Sequence, residues 1–232
     1  MLRILITGAN SGIGLAMTQQ YLQRGERVFA TCRQPAEASA LAELGIAYPD
    51  HLSVLPLDVT DNATIDAAAE TVSAQVDGLD LLINNAGFFP KDENINNLDA
   101  QTMLNTFHIN AVGPIMVVQR FLGLLRAGND AKVVNVSSQL GSLNRTTGKG
   151  YYSYNSSKAA LNMLTRILAH DLRAEGIVVV TVHPGWVQTR MGGKGATITP
   201  EESASGLIAI ADRITMDDSN KFYTWEGNEH SW

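Results

Sequence analysis

Leu2-Arg3-Ile4-Leu5-Ile6-Thr7-Gly8-Ala9-Asn10-Ser11-Gly12-Ile13-Gly14 opens the chain. Residues 2–6 are a short apolar run ended by glycine, the pattern of a strand buried on both faces of a parallel sheet. Residues 15–24 have helical composition. Glycines at a strand-to-helix turn let backbone approach a pyrophosphate, which the N–H groups and dipole of the helix start then hold. A glycine-rich turn can also be idle, but its place between the first strand and the first helix favours the phosphate cradle. The spacing is Gly-x-x-x-Gly-x-Gly, not Gly-x-Gly-x-x-Gly.

Working outward, strand and helix alternate. Residues 27–31 form a second strand and 34–44 the helix returning from it. At the end of such a strand an acid hydrogen-bonds the ribose 2′-OH of NAD, whereas an arginine accommodates the 2′-phosphate of NADP. Cys32-Arg33 stands there with no acid, which favours NADP(H) over NAD(H). Residues 52–57 give a third strand, closed by Asp58-Val59, with Asp61 placed to cap the next helix. Residues 79–83 give a fourth, ending in Asn84-Asn85-Ala86-Gly87; small residues here admit either a ligand or another backbone. Residues 132–136 and 178–182 are the fifth and sixth strands. Such alternation predicts an α/β fold with a doubly wound parallel sheet.

The connecting segments are uneven in what they say. Residues 88–99 form a polar loop in which no chemistry is legible. Residues 100–126 are helical but interrupted at Asn110-Ala111-Val112-Gly113-Pro114, which implies either a plain bend or freed backbone groups near Asn110 that can hold water. Ser137-Ser138 ends the fifth strand, where α/β sheets place ligands. Residues 141–150 are a glycine-punctuated loop. His183-Pro184-Gly185-Trp186 follows the sixth strand, Gly192-Gly193-Lys194-Gly195 is expected to be mobile, and Pro200 starts another helix. The aromatic tail from Phe222 to Trp232 is expected to pack.

Tyr154-Asn155-Ser156-Ser157-Lys158 sets a tyrosine and a lysine four apart ahead of a helix-favouring run, so both lie on one helical face. An ammonium beside a phenol favours phenolate, so the pair predicts a lowered tyrosine pKa and a proton donor for neutral pH. Taken alone, such a pair is usually just two surface neighbours.

Composition bounds the rest. The 232 residues are 45% hydrophobic and 17% charged, which suits one globular domain over 1–232. A formal charge of −6 argues against a nucleic-acid surface. Cys32 is the only cysteine, so an internal disulfide is excluded and no metal-ligand cluster is visible. The opening apolar run is too short for a secretory leader, and no run suggests a membrane span; the expectation is a cytoplasmic protein.

Together, Thr7-Gly8-x-x-x-Gly12-Ile13-Gly14, Asp58-Val59, Asn84-Asn85-Ala86-Gly87, Asn110, Ser138, Tyr154-x-x-x-Lys158 and Pro184-Gly185 resemble the short-chain dehydrogenase/reductase family. The resemblance implies a doubly wound Rossmann fold, with a seven-stranded, mostly parallel sheet ordered 3-2-1-4-5-6-7 and helices on both faces. It implies hydride transfer between a nicotinamide cofactor and a carbonyl or alcohol. Tyr154 would be the general acid/base, Lys158 would hold the nicotinamide ribose and tune the tyrosine, Ser138 would polarise the carbonyl, and Asn110 would order a relay water. Cofactor contacts would come from Gly8, Asn10, Ser11, Gly12, Ile13 and Gly14, from Arg33, Asp58 and Val59, and from Asn85, Ala86 and Gly87. Tyr154, Lys158, Pro184, Gly185, Val187 and Thr189 complete that set, and no metal is implied. His108 and His183 have no place in the pattern, and Tyr151 and Tyr152 lack a lysine four residues on.

The Cys32-Arg33 strand end and the tail Phe222-x-x-Trp225-Glu226-Gly227 resemble the carbonyl-reductase and C-factor-like branch. The leading reading is an NADPH-dependent carbonyl reductase acting on a small molecule as a homodimer or homotetramer. A dinucleotide-binding signalling protein is the alternative. A nucleotide-sugar epimerase also uses Tyr-x-x-x-Lys, but the glycine spacing and the short stretch after Gly193 oppose it. Residues 186–202 are expected to shape the pocket, with Arg190 and Lys194 their only charged anchors before Pro200.

Overall fold

Strand β1 (Arg3–Thr7) runs into helix α1 (Gly12–Gln23) and returns as β2 (Arg27–Cys32) in the computed structural model, which describes residues 1–145, 150–193 and 195–232. The chain continues through α2 (Ser39–Ala47), β3 (Leu52–Pro56), α3 (Asn62–Ser73) and β4 (Leu81–Asn84). Beyond them lie α4 (Ala100–Phe107), a π-helical stretch (His108–Val112), α5 (Gly113–Arg126), β5 (Lys132–Val136) and α6 (Tyr152–Asp171). β6 (Val178–His183), α7 (Pro200–Arg213) and β7 (Phe222–Thr224) complete it.

The strands form one seven-stranded sheet in the order β3-β2-β1-β4-β5-β6-β7, parallel at every pairing. Period-two alternation divides the core between its faces. Ile4, Ile6, Val28 and Ala30 face α1, α2 and α7 through Met17, Leu41 and Leu207. Leu5, Phe29, Leu82 and Val133 face α3 and α5 through Ile65, Val117 and Phe121. Strands buried on both sides are uniformly apolar, which is why β1, β5 and β6 are plain in the sequence. Strand order reverses between β1 and β4, and the ends of those strands open the crevice where ligands of such sheets sit.

Several expectations need adjustment. The helix after β2 begins late: Pro35–Glu37 form a 3₁₀ turn and the α-helix starts only at Ser39. The tail packs as expected, with Phe222–Thr224 forming the edge strand beside β6. The expectation that no run suggests a membrane span is corrected, because Ala100–Arg126 is long and apolar enough by length and composition. That apolar surface is used internally, since Val117, Val118, Phe121 and Leu125 are buried against the sheet. The expected mobility of 192–195 includes Lys194, which lies outside the described residues. Gly192 is tied at its carbonyl by Trp186 Nε1 (2.8 Å) and at its N–H by Thr189 Oγ1 (3.1 Å).

Candidate active site

The glycine turn is locked from β4. Gly8 and Gly12 have φ of +64° and +54°, the left-handed region where glycine is strain-free. A Cβ on Gly8 would lie 2.9 Å from Ala86 Cα, and one on Gly14 would lie 2.5 Å from both the Gly8 carbonyl and Asn85 Nδ2. The Thr7 hydroxyl accepts the N–H of Asn85 (3.0 Å) and of Ala86 (3.1 Å). Asn85 Nδ2 in turn donates to the carbonyls of Thr7 (2.9 Å) and Gly8 (3.1 Å). Of the two uses open to Asn85-Ala86-Gly87, the close approach of backbone is therefore realised, and the Asn85 amide shapes the turn. Ser11 is the N-cap of α1 but its side chain makes no capping bond. The first-turn N–H groups thus keep their capacity for an anion.

Other segments converge on this turn. A Cβ on Gly12 would lie 2.9 Å from Thr189 Cγ2, so the segment after β6 crosses the turn as expected for Thr189. Val187 is buried and bridges to Ile198, while Gly185 (φ +85°) passes beneath Ile198 and Trp225. Arg33 is exposed at the end of β2 and, among the described residues, forms no ion pair. The Asp58 carboxylate accepts the N–H (2.9 Å) and hydroxyl (2.7 Å) of Thr60, holding the turn that places buried Val59 against Gly113. Asn10 is exposed and Ile13 half-buried. A hollow of about 510 Å³ lies at Gln188, Thr189, Arg190 and Gly193. A second, of about 380 Å³, lies beside the first turns of α6 between Leu143 and Tyr152, clear of Tyr154 and Lys158.

Tyr154 and Lys158 are both buried on the inner face of α6. Lys158 Nζ donates to the carbonyl of Val136 (2.9 Å) and lies 5.9 Å from the centre of the Tyr154 ring. A Cβ on Gly87 would lie 3.5 Å from Asn110 Oδ1 and 3.8 Å from Lys158 Nζ, so three expected site residues meet at one point. The Ser138 hydroxyl, near enough to Tyr154 to act on its phenol, accepts the N–H of Leu140 (3.1 Å). Gly141 brings this loop onto α6, where a Cβ would lie 2.7 Å from the Lys158 carbonyl carbon.

Asn110 is fully buried in the π-helical stretch, which is the form the expected interruption takes. Its amide is engaged: Oδ1 accepts the Phe88 N–H (2.7 Å), and Nδ2 gives both hydrogens, to the Phe88 carbonyl (2.8 Å) and Ser157 Oγ (3.0 Å). One lone pair of Oδ1 is left over for a further donor.

The expected direction of the tyrosine pKa is corrected. Burial pushes the Tyr154 phenol up to about 12, and the nearby Ser138 hydroxyl offsets only part of that. Burial pulls Lys158 down to about 8. Desolvation disfavours both charged forms and sets the direction at both residues. The phenol is thereby kept protonated, the state a proton donor needs. His183 is a packed residue, drawn down to about 4 by burial and by His230, and His108 is exposed.

Sequence reasoning missed Phe88, Phe89, Glu93, Ser153 and Ser157, and gave Thr7 a place in the glycine motif without a role. Phe89 sits 4.8 Å from the Tyr154 ring, edge-on, and 4.9 Å from Tyr151. Tyr151 is the N-cap of α6 in the left-handed region (φ +54°). Thr7 alone carried a local signal, a hydroxyl at the end of an otherwise apolar strand.

Residues 3–197 match the family model described as short chain dehydrogenase. The chain belongs to that family. It is 43% identical to the C-signal of Myxococcus xanthus over 154 residues, 66% of this chain and 93% of that protein. Among solved structures, an NADPH-bound carbonyl reductase from chicken fatty liver is similar at a TM-score of 0.93 and 38% identity, over 99% of this chain and 98% of that one. The carbonyl reductase Sniffer of D. melanogaster is similar at 0.96 and 32%, over the whole of both chains. Membership makes this short-chain dehydrogenase an oxidoreductase on the sheet order already described.

Proposed function

We propose that this short-chain dehydrogenase reduces an aldehyde or ketone to an alcohol with NADPH, with Tyr154 as the proton donor. The observation that carries the reading is the Tyr154 phenol, buried one helical turn from Lys158, whose Nζ lies 5.9 Å from its ring and meets Asn110 beside Gly87. The dinucleotide fits the cradle of Gly8, Gly12 and Gly14, which a Cβ would fill, and the unclaimed start of α1. When bound, the nicotinamide supplies the hydride to the carbonyl carbon. Ser138 orients the carbonyl oxygen, and Tyr154 hands it the proton that completes the alcohol. Lys158 stabilises the phenolate left behind and supports the ribose, and backbone groups near Asn110 return a proton through water. Arg33 meets the 2′-phosphate, and the likeness to an NADPH-bound reductase supports that preference.

Both binding sites belong to one domain in this reading, working in the cytoplasm without a nucleic-acid or membrane partner. Exposed Leu104 on α4 and Met163 and Ile167 on α6 favour a homodimer or homotetramer. Light scattering tests that assembly. Arg190 is exposed beside the pocket segment, and Lys194 lies outside the described residues. A spectrophotometric screen of NADPH and NADH oxidation against aldehydes, ketones and quinones tests the function. Reduction of at least one carbonyl, with NADPH preferred, is expected. Identity with the C-signal favours a second reading, a dinucleotide-binding signalling protein. Absence of turnover on every carbonyl would move that reading to first place.

A further inference from the structure

Helix α6 carries Tyr154 in its first turn, yet nothing local caps that turn. The N-cap residue Tyr151 makes no side-chain capping bond and sits in the left-handed region, which is unfavourable for a non-glycine residue. The turn is held instead from sixty residues away. Glu93 Oε2 accepts the Ser153 N–H at 2.7 Å, and Oε1 accepts the Ser153 hydroxyl. Both residues are buried. The Glu93 backbone also fits against Gly150 (φ +57°), where a Cβ would lie 3.1 Å from the Glu93 carbonyl. Two successive left-handed residues therefore wrap the chain around Glu93 before the helix begins.

We propose that Glu93 is a positioning residue for Tyr154, acting through the Ser153 clamp. The segment between β4 and α4 is fastened twice: at Phe88 by the Asn110 amide, and at Glu93 by Ser153. Phe89 lies between these anchors and bears edge-on against the Tyr154 ring at 4.8 Å. A carboxylate is suited to the task, because its charge opposes the positive end of the helix and its two oxygens accept two donors at once. Loss of the clamp frees the first turn of α6 and the Phe89 contact together. The phenol then loses its aim, while Lys158, a turn further on and anchored to Val136, keeps its place.

The inference rests on Tyr154 being the proton donor, so its test includes a readout independent of turnover. Glu93→Ala, Glu93→Gln and Ser153→Ala are compared with wild type for kcat, carbonyl KM, NADPH Kd by fluorescence, and amide hydrogen exchange over residues 151–155. Glu93→Ala should lower kcat at least tenfold with Kd within twofold, and should speed exchange at Ser153 and Tyr154. Glu93→Gln should recover most of kcat, because its amide oxygen still accepts the Ser153 N–H. Should Glu93→Ala not fold, Ser153→Ala carries the test, with kcat lowered about threefold or more at unchanged Kd. A kcat within twofold of wild type in every folded variant overturns the proposal, and so does a cofactor affinity that falls as far as kcat. If wild type reduces no carbonyl, the functional reading fails, and exchange decides the clamp: faster exchange in Glu93→Ala upholds it and unchanged exchange overturns it.

Discussion

Lys158 Nζ is hydrogen-bonded to the carbonyl oxygen of Val136 at 2.9 Å, tying α6 to the carboxyl end of β5 two residues before Ser138. The lysine thus serves as a brace between helix and sheet as well as a charge near Tyr154.

That double duty separates the two residues in an experiment. Tyr154→Phe removes only a hydroxyl, so kcat should fall by roughly 10²–10⁴-fold while NADPH affinity is nearly kept. Lys158→Ala should lower both turnover and cofactor affinity. Tyr151→Phe and Tyr152→Phe should stay close to wild type in kcat, because neither has a lysine one turn on. Steady-state kinetics and cofactor titration of the four variants decide, and a Tyr154→Phe protein with most of its kcat would refute the mechanism.

Arg33 is exposed at the end of β2 and free to meet an anion. Arg33→Ala should weaken NADPH by roughly 1.5–3 kcal/mol, as for a hydrogen bond to a charged group, and leave NADH nearly unchanged. Equal losses for the two cofactors in a binding titration would remove the 2′-phosphate role.

Glycine at position 14 lies inside α1, where alanine is ordinarily the better helix former by up to about 1 kcal/mol. Here the added carbon would stand 2.5 Å from the Gly8 carbonyl and from Asn85 Nδ2, and overpacking costs about 1–3 kcal/mol. Gly14→Ala is therefore expected to lower the melting temperature and to weaken dinucleotide binding at the same time. A more stable variant with unaltered binding would show that the turn yields.

His183 is neutral in the fold and takes up a proton only at about pH 4, whereas an unfolded histidine does so near 6.5. Between those values the unfolded chain binds more protons, so stability falls as pH falls and is level above and below the window. The full effect is on the order of 3 kcal/mol. Denaturant unfolding of wild type and His183→Gln at pH 7, 5.5 and 4.5 should show a gap that narrows or reverses as the pH drops. A constant gap would contradict the assignment.

What the chain displayed in one dimension was whatever depends on near neighbours. Buried strands are apolar throughout; Asp61 caps α3 through the N–H of Ala63, and Pro200 opens α7. Tyr154 and Lys158 were legible because helical pitch relates them. Glu93 was not, because its donor lies sixty residues on and its surroundings are a run of polar loop residues. The tyrosine pKa was misjudged for a similar reason: the neighbouring lysine can be seen in a sequence, but burial is a property of the assembled core. Pro114 shows the same limit, since it marked an irregularity without specifying a π-helical stretch.

The lock between Asn85 and the Gly8 turn joins segments 77 residues apart, across the seam where the two halves of the sheet meet. A dinucleotide seated on that turn binds only when the seam is closed, so ligand and fold share one equilibrium. At a hundred times its dissociation constant the nucleotide adds about 2.7 kcal/mol to the unfolding free energy. The melting temperature is then expected to climb with nucleotide concentration, so coenzyme supply and the durability of the fold move together.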